Sequence, residues 1–338
     1  MILGHLIFLG VGRLLLSWLP PGRLGGHRAI ELPATLGASY LLGAIAFVLQ
    51  VLLAEALGTA PGKSDIFVLL LPWAVLFALR IITLPGYFVA GAEPRHEART
   101  PVFWGLVALA VLVVLTLGVG PHVVAFALVA SHLLWQGRRA PAYRAGLILL
   151  FLATSTKLAP APEHEGLGPY LGLAGGFLIP WIRRNDFRAA TLSGLMLVGH
   201  FLASGAWLLV VGGLAVLNLV SRPRQRPFAW KVSAVTLGLC ASAFVLGREG
   251  EHDFATLSLP SLDPSGAILA LVVFVGSTLY LRRAEPWSPG QIEEPVREGW
   301  ALTALLSLSV LFEPLASAPL AVFWAGTLLL PVERPDEA

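Results

Sequence analysis

The stretch Trp181–Arg226, WIRRNDFRAATLSGLMLVGHFLASGAWLLVVGGLAVLNLVSRPRQR, decides how the chain is threaded. Arginine clusters at its two ends enclose the 33 residues Ala189–Ser221, which contain no Lys, Arg, Asp or Glu. Basic residues that flank membrane segments stay in the cytoplasm. Two clusters on the same side require an even number of crossings, so we predict a helical hairpin that turns near Ser204 and Gly205. One long tilted helix is the alternative.

The rest of the chain repeats this pattern. Of its 338 residues, 56% are hydrophobic and only 13% are charged, whereas soluble domains carry about 25% charged residues. Apolar runs of 15 to 27 residues recur between short loops that contain Arg, Pro or Gly. Lipid offers no partner for a free backbone N–H or C=O group, so such runs must be helices. We therefore predict an all-α fold, a polytopic transmembrane helix bundle.

The basic residues set the predicted orientation of this bundle. With the arginine clusters in the cytoplasm, the chain forms about 13 helices, with its N-terminus outside and its C-terminus inside. By this count 18 of the 23 Lys and Arg residues are cytoplasmic, which is the asymmetry typical of an inner-membrane protein. The predicted spans are 2–19, 34–57, 66–92, 102–118, 122–136, 143–158, 167–182, 189–203, 207–221, 229–247, 265–281, 299–313 and 315–330.

The prediction leaves almost nothing outside the bilayer. Residues 1–330 form one transmembrane domain, and residues 331–338 form a short cytoplasmic tail. The longest loops, Arg248–Asp263 and Arg282–Glu298, are too short for a soluble catalytic or receptor domain. Cys240 is the only cysteine, so an intrachain disulfide is excluded. A single cysteine also forms no metal-binding cysteine cluster, and we expect no metal and no cofactor. We expect no nucleic-acid partner, because the basic residues are spread over many short loops.

Arg80 is the charged residue predicted to lie deepest in a membrane segment, with Pro72 and Pro85 on either side. A charge at that depth costs about 2.5 to 17 kcal/mol, so Arg80 should face protein or water. Its guanidinium suits phosphate or carboxylate, and Lys157 would add a second cation for a phosphate. We predict that both bind substrate. The alternative for Arg80 is a structural ion pair or a bond to carbonyls freed by the prolines.

Two clusters of acids and histidines are predicted on the outer face. They are Glu163-His164-Glu165 and Glu251-His252-Asp253. A carboxylate beside an imidazole can act as a general base or bind a divalent ion. These six residues are our candidate catalytic set. The alternative is that they are simply solvated loop residues.

Two further features predict contacts between helices. Gly168, Gly172 and Gly176 recur every four residues on one face of the seventh segment, where a neighbouring helix can approach closely. His132 and His200 lie well inside apolar runs, and we predict that they form polar contacts between helices.

The opening hairpin Leu3–Leu57 carries Gly10-Val11-Gly12-Arg13 on its first helix and the Gly-rich segment Leu36–Gly43 on its second. It resembles the entry helices of bacterial GT-C-type glycosyltransferases. The later helix pairs, with Arg-rich inner turns such as Trp181–Asn185, also resemble those of O-antigen ligases and polymerases. The resemblance covers about two-thirds of the chain and implies handling of a polyprenyl-linked sugar. GT-C enzymes place a catalytic acid in the first outer loop, which here is Gly58–Asp65, with one acid as its last residue.

These observations leave three functional hypotheses. The first is a bacterial envelope protein that handles a polyprenyl-phosphate-linked glycan as a transferase, polymerase or accessory subunit. The second is a transporter or flippase, and the third is a non-catalytic membrane scaffold subunit. All three expect membrane lipid as a partner, and other membrane subunits are possible partners as well.

Overall fold

The computed structural model describes residues 2–20, 28–59, 66–83, 121–135, 144, 146–151, 167–249, 264–283 and 293–328. Within these ranges the chain forms helices joined by turns, and no strand, which confirms the predicted all-α class for this part of the protein. Eleven helices have defined bounds: α1 (Ile2–Trp18), α2 (Arg28–Ala56), α3 (Ile66–Thr83), α4 (Pro121–Trp135), α5 (Leu167–Arg184), α6 (Phe187–Ser204), α7 (Trp207–Val220), α8 (Arg226–Glu249), α9 (Pro264–Arg283), α10 (Glu293–Phe312) and α11 (Pro314–Leu328). Residues 146–151 are also helical.

Three of these helices are long and apolar enough to cross a membrane. They are Pro33–Ala56 in α2, Arg226–Gly247 in α8 and Pro264–Leu281 in α9. Shorter apolar helices accompany them, such as the 14-residue α7; a helix of that length rises about 21 Å, less than a hydrocarbon core of about 30 Å. The predicted number of about 13 helices is not reached among the described residues, and the predicted span 102–118 lies outside them.

The hairpin predicted between the two arginine clusters is present. Helix α6 ends at Ser204, and Gly205 follows in the left-handed conformation with φ 69°. The Gly205 N–H donates to the Phe201 carbonyl at 2.7 Å and so closes the last turn of α6. Helix α7 then begins at Trp207 and returns. Because glycine adopts this conformation without steric cost, the turn lies where the sequence has Gly205.

One predicted boundary is wrong. The predicted loop Arg282–Glu298 included residues 293–298, but α10 begins at Glu293. Acidic residues and a proline in a first turn favour a helix start, and Glu293, Glu294 and Pro295 supply them. Helix α2 begins at Arg28 and continues through Pro33, and its part that is apolar enough to cross a membrane, Pro33–Ala56, agrees with the predicted span 34–57.

Close packing at glycines joins the helices. The predicted glycine face of α5 is confirmed for Gly172 and Gly176: a Cβ on Gly172 would lie 3.0 Å from the Pro319 side chain, and one on Gly176 would lie 2.8 Å from that of Phe323. Both neighbours belong to α11. Gly168 lies in α5, but its surroundings are outside the description. Helix α5 is therefore buried against α6 and α11.

The bundle has two chemically different ends. We call the "arginine end" the one that contains the C-terminus of α5, the N-terminus of α6 and the loop from α7 to α8. Hydrogen bonds connect these elements to each other and to the end of α1, as described below. The opposite end contains the N-terminus of α5 and the α6–α7 turn, where Tyr170 packs against Gly199. Arg248 lies near the C-terminus of α8, away from the arginine end.

Candidate functional site

A buried ion pair holds α5 and α10 together at the arginine end. Arg183, in the last turn of α5, donates from Nη2 to Glu298 Oε2 at 2.6 Å and from Nε to Glu298 Oε1. The Glu298 side chain is 0% exposed and that of Arg183 is 20% exposed. A carboxylate removed from water in this way requires a hydrogen-bonded cation, and the two-pronged guanidinium geometry provides one.

Gln225 connects two loops at the same end. Its Nε2 donates to the Trp181 carbonyl at 3.4 Å and to Asn185 Oδ1, while its Oε1 accepts from the Arg222 N–H at 2.7 Å. Trp181 also donates from Nε1 to Ser221 Oγ at 3.0 Å. The α5–α6 and α7–α8 loops are therefore held side by side, although about 40 residues separate them.

Asp186 is a buried carboxyl among these arginines. Its Oδ1 accepts from the Ala189 N–H at 3.1 Å and so caps α6, whereas its buried Oδ2 has no hydrogen-bond partner. Burial raises the pKa of Asp186 above its ordinary value, and the backbone N–H groups and the charges of Arg188 and Arg184 only partly oppose this shift. The Asp186 carboxyl group is therefore a weaker acid than an exposed aspartate, although arginines surround it.

Arg80 contacts the C-terminal turn of α1. Its Nη2 donates to the Ser17 carbonyl at 2.6 Å and its Nε donates to Ser17 Oγ at 3.2 Å. Its guanidinium carbon lies 5.1 Å from the centre of the Trp18 ring, a cation–π distance. Arg188, at the start of α6, donates to the Pro20 carbonyl just beyond α1 at 3.1 Å. Arg80 therefore lies near the arginine end, three residues before Thr83, the last described residue of α3.

The alternative to substrate binding by Arg80 is a structural role, as an ion pair or through bonds to carbonyls freed by the prolines. The guanidinium does bind a backbone carbonyl, as that alternative expects, but the carbonyl belongs to the end of α1. It was not freed by a proline of α3. Binding of substrate by Arg80 stays a prediction.

The opposite end carries two sets of polar contacts. His200, near the end of α6, places its Nε2 3.0 Å from Glu313 Oε2 in the break between α10 and α11. This confirms the predicted polar contact between helices for His200. At the start of α1, His5 Nδ1 lies 3.0 Å from the Tyr40 hydroxyl, and the Tyr40 ring meets the His122 ring edge-on with centroids 5.1 Å apart.

The six candidate catalytic residues and Lys157 lie outside the described residues. The helix ends that lead into their loops are Leu167 in α5 and Glu249 in α8. Both belong to the end of the bundle opposite the Arg80 contacts. The structure thus does not bring Arg80 together with these helix ends. Within the described ranges, no three His, Cys, Asp or Glu side chains form a group suited to a metal ion.

Sequence reasoning missed Gln225 and Glu298. Gln225 lies in the segment Arg222-Pro223-Arg224-Gln225-Arg226, a pattern typical of a solvated loop, and nothing in the sequence distinguishes Gln225 from its neighbours. For Glu298 a signal existed: a glutamate directly before a long apolar run needs a cation, and Arg183 lies on the same predicted side of the membrane.

Comparisons of the whole chain with protein-family models, with curated proteins and with solved structures find no match.

Proposed function

We propose that this chain is a multi-pass protein of the bacterial inner membrane that binds a polyprenyl-phosphate-linked glycan. The observation that carries the proposal is the Arg80 guanidinium, held against Trp18 by two hydrogen bonds to Ser17. Trp18 is 59% exposed, so this contact lies at the surface of the bundle, where the isoprenoid chain of such a lipid would run.

The chemistry of the Arg80 contact suits a lipid phosphate. A guanidinium presents planar, fixed donors that match phosphate oxygens, and stacking on an aromatic ring limits its rotation. Arg188 is joined to the same end of α1 through Pro20 and adds positive charge. Two exposed apolar residues of α3 close to Arg80 in the chain, Leu76 and Leu79, would contact the lipid chain.

The distribution of charge supports the proposed orientation. Arginines concentrate at one end of the bundle, and such residues stay in the cytoplasm during membrane insertion. We infer that the arginine end is cytoplasmic and that the N-terminus of α1 is outside. Binding at Arg80 is then binding in the cytoplasmic leaflet, where lipid-linked glycans are built before they cross the membrane.

The role of the candidate catalytic residues is part of this proposal. Glu163, His164 and Glu165 precede α5, and Glu251, His252 and Asp253 follow α8. We propose that they act on the glycan at the face opposite Arg80, on a lipid that has already crossed the membrane, because the glycan of a lipid held at Arg80 is joined directly to its phosphate and stays on the Arg80 side. Replacing Glu163 or Glu251 by Gln should then lower transfer or polymerisation of the glycan without changing phosphate binding.

The experiment compares Arg80→Leu with the control Arg248→Leu. Arg248 lies near the C-terminus of α8, at the end of the bundle opposite the arginine end. Binding of a polyprenyl phosphate to the full chain in neutral-lipid nanodiscs should weaken at least about ten-fold for Arg80→Leu, since a charge-assisted hydrogen bond contributes about 1.5–3 kcal/mol. Arg80→Lys should lose less. The uncharged polyprenol of equal length should bind weakly to all forms. Equal phosphate binding by Arg80→Leu and wild type would refute the proposal.

A scaffold subunit is the second candidate, and the core favours it. Large side chains such as Phe126, Phe177 and Phe323 are fully buried in the described part of the bundle, and glycines bring the helices into direct contact. A scaffold would bind no polyprenyl phosphate and would be recovered with a partner membrane protein.

A further inference from the structure

Four cations lie exposed around the two loops that Gln225 joins: Arg184, Arg224, Arg226 and Lys231. We call them the basic surface. Gln225 itself is 3% exposed and bonds to both loops. The basic surface is therefore built on a fixed backbone and differs from a flexible basic loop, in which the charges would have to be ordered on binding.

Nearby acids do little to neutralise this surface. Glu298 is taken up by Arg183, and Asp186 is buried as the cap of α6, with burial raising its pKa. Arg188 and Arg222 lie in or beside the same loops and add further positive charge. Within the two loops, basic side chains therefore outnumber the single acid, Asp186.

The basic surface continues into an apolar stripe on α8. Trp230 is 66% exposed and lies one turn from Arg226. Exposed residues at the helical spacing of three to four follow it along the same face: Ala234, Leu237, Ala241 and Val245. An aromatic side chain at the boundary between a charged and an apolar surface is typical of protein segments at a membrane interface. One helix face thus presents, in order, cations, an aromatic ring and apolar side chains.

We propose that the basic surface and the outward face of α8 bind an anionic phospholipid of the surrounding leaflet. The phosphate would lie against Arg224 and Arg226, the glycerol region beside Trp230, and an acyl chain along Leu237 and Val245. Charge complementarity identifies the occupant as an anionic lipid, and the apolar stripe below the cations identifies it as a lipid and not a free phosphate. The proposed lipid contacts Arg224, Arg226, Trp230, Leu237 and Val245 include no residue of the Arg80 site, and the inference does not depend on the polyprenyl-phosphate proposal.

The test uses the full chain in phosphatidylcholine nanodiscs with increasing brominated phosphatidylglycerol, whose bromines quench nearby tryptophan. Each basic residue near an anionic surface contributes about five-fold in affinity, so Arg224→Gln with Arg226→Gln should weaken the quenching transition about 25-fold. Arg248→Gln, on the same helix but at its other end, should match wild type. Trp230→Phe should remove a large part of the quenching without changing the midpoint.

Two further measurements keep the proposal falsifiable if the double variant folds poorly. For the wild type, added salt should weaken phosphatidylglycerol binding, because exposed charges are screened; binding that ignores salt overturns the proposal. Gln225→Ala keeps every charge and should weaken binding by loosening the two loops. Wild-type affinity in the double variant refutes the site, and equal competition by inorganic phosphate refutes the lipid as its occupant.

Discussion

Replacing Glu298 by glutamine should cost the protein a large part of its stability. The substitution preserves volume and removes only the negative charge that faces Arg183. Glu298 is 0% exposed, and Arg183 donates to both of its oxygens. In Glu298→Gln the guanidinium remains in place without its counter-ion.

The magnitude follows from the burial of the pair. Two unit charges about 4 Å apart attract by about 4 kcal/mol at an effective dielectric constant of about 20. Removing one partner of a buried pair typically costs about 3–5 kcal/mol. Glutamine retains one acceptor, so we expect a loss of about 3 kcal/mol for Glu298→Gln and about 5 kcal/mol for Glu298→Ala.

The assay is reversible unfolding of the purified chain in mild-detergent micelles titrated with dodecyl sulfate, followed by circular dichroism. Arg224→Gln is the matched control, since it removes an exposed charge at the same end and should change stability by at most about 0.5 kcal/mol. The double change Arg183→Met with Glu298→Met should cost less than either single change, because no buried charge is left over. Equal stability of Glu298→Gln and Arg224→Gln would refute the assignment of a buried, stabilising ion pair.

Three further predictions concern packing, pH and orientation. Gly12→Ala should lower the free energy of unfolding by at least about 1–3 kcal/mol, since the new Cβ would lie 1.5 Å from a carbonyl oxygen of α2. Gly10→Ala is the control: a Cβ there has nothing within 4 Å, and the same unfolding titration should show unchanged or higher stability. Burial raises the pKa of Asp186 in the folded protein. Its contribution to the free energy of unfolding is therefore fully present at pH values below the ordinary pKa of an aspartate and is lost as the pH rises through the pKa of the folded state. Asp186→Asn should flatten this pH dependence of the free energy of unfolding. Cysteines at Arg224 and Ser204, in a background without the native cysteine, should react with an impermeant maleimide from opposite faces of the membrane, and labelling from one face would contradict the hairpin.

The helical class and the α6–α7 hairpin could be predicted from the sequence because each depends on a local rule. Apolar runs in lipid must be helical, and two arginine clusters with an uncharged stretch between them require a return. The turn at Gly205 follows from the conformational freedom of glycine. The helix face of Gly172 and Gly176 was predictable for the same kind of reason, since four-residue spacing alone defines a face.

Helix boundaries and polar partners could not be predicted in this way. Whether residues 293–298 form a loop or a helix depends on which side chain pairs with Glu298. That side chain belongs to Arg183, which is 115 residues away in the chain. The contacts of Arg80 with Ser17 and Trp18 depend likewise on how α3 lies against α1. Hydropathy places a charged residue within a segment, but it does not predict which helix end supplies the bonding groups.

The distribution of polar contacts limits where function can reside. In lipid, a buried polar group must find its partner within the protein. The two acid–base contacts described lie at the two ends, Arg183 with Glu298 at one and His200 with Glu313 at the other, whereas hydroxyl contacts such as Ser193 with the Ala174 carbonyl also occur along the helices. Between these ends, glycine contacts and aromatic side chains bring α5, α6 and α11 together directly. For an anionic ligand of this part of the bundle, the exposed cations Arg184, Arg224, Arg226 and Lys231 favour approach at the arginine end.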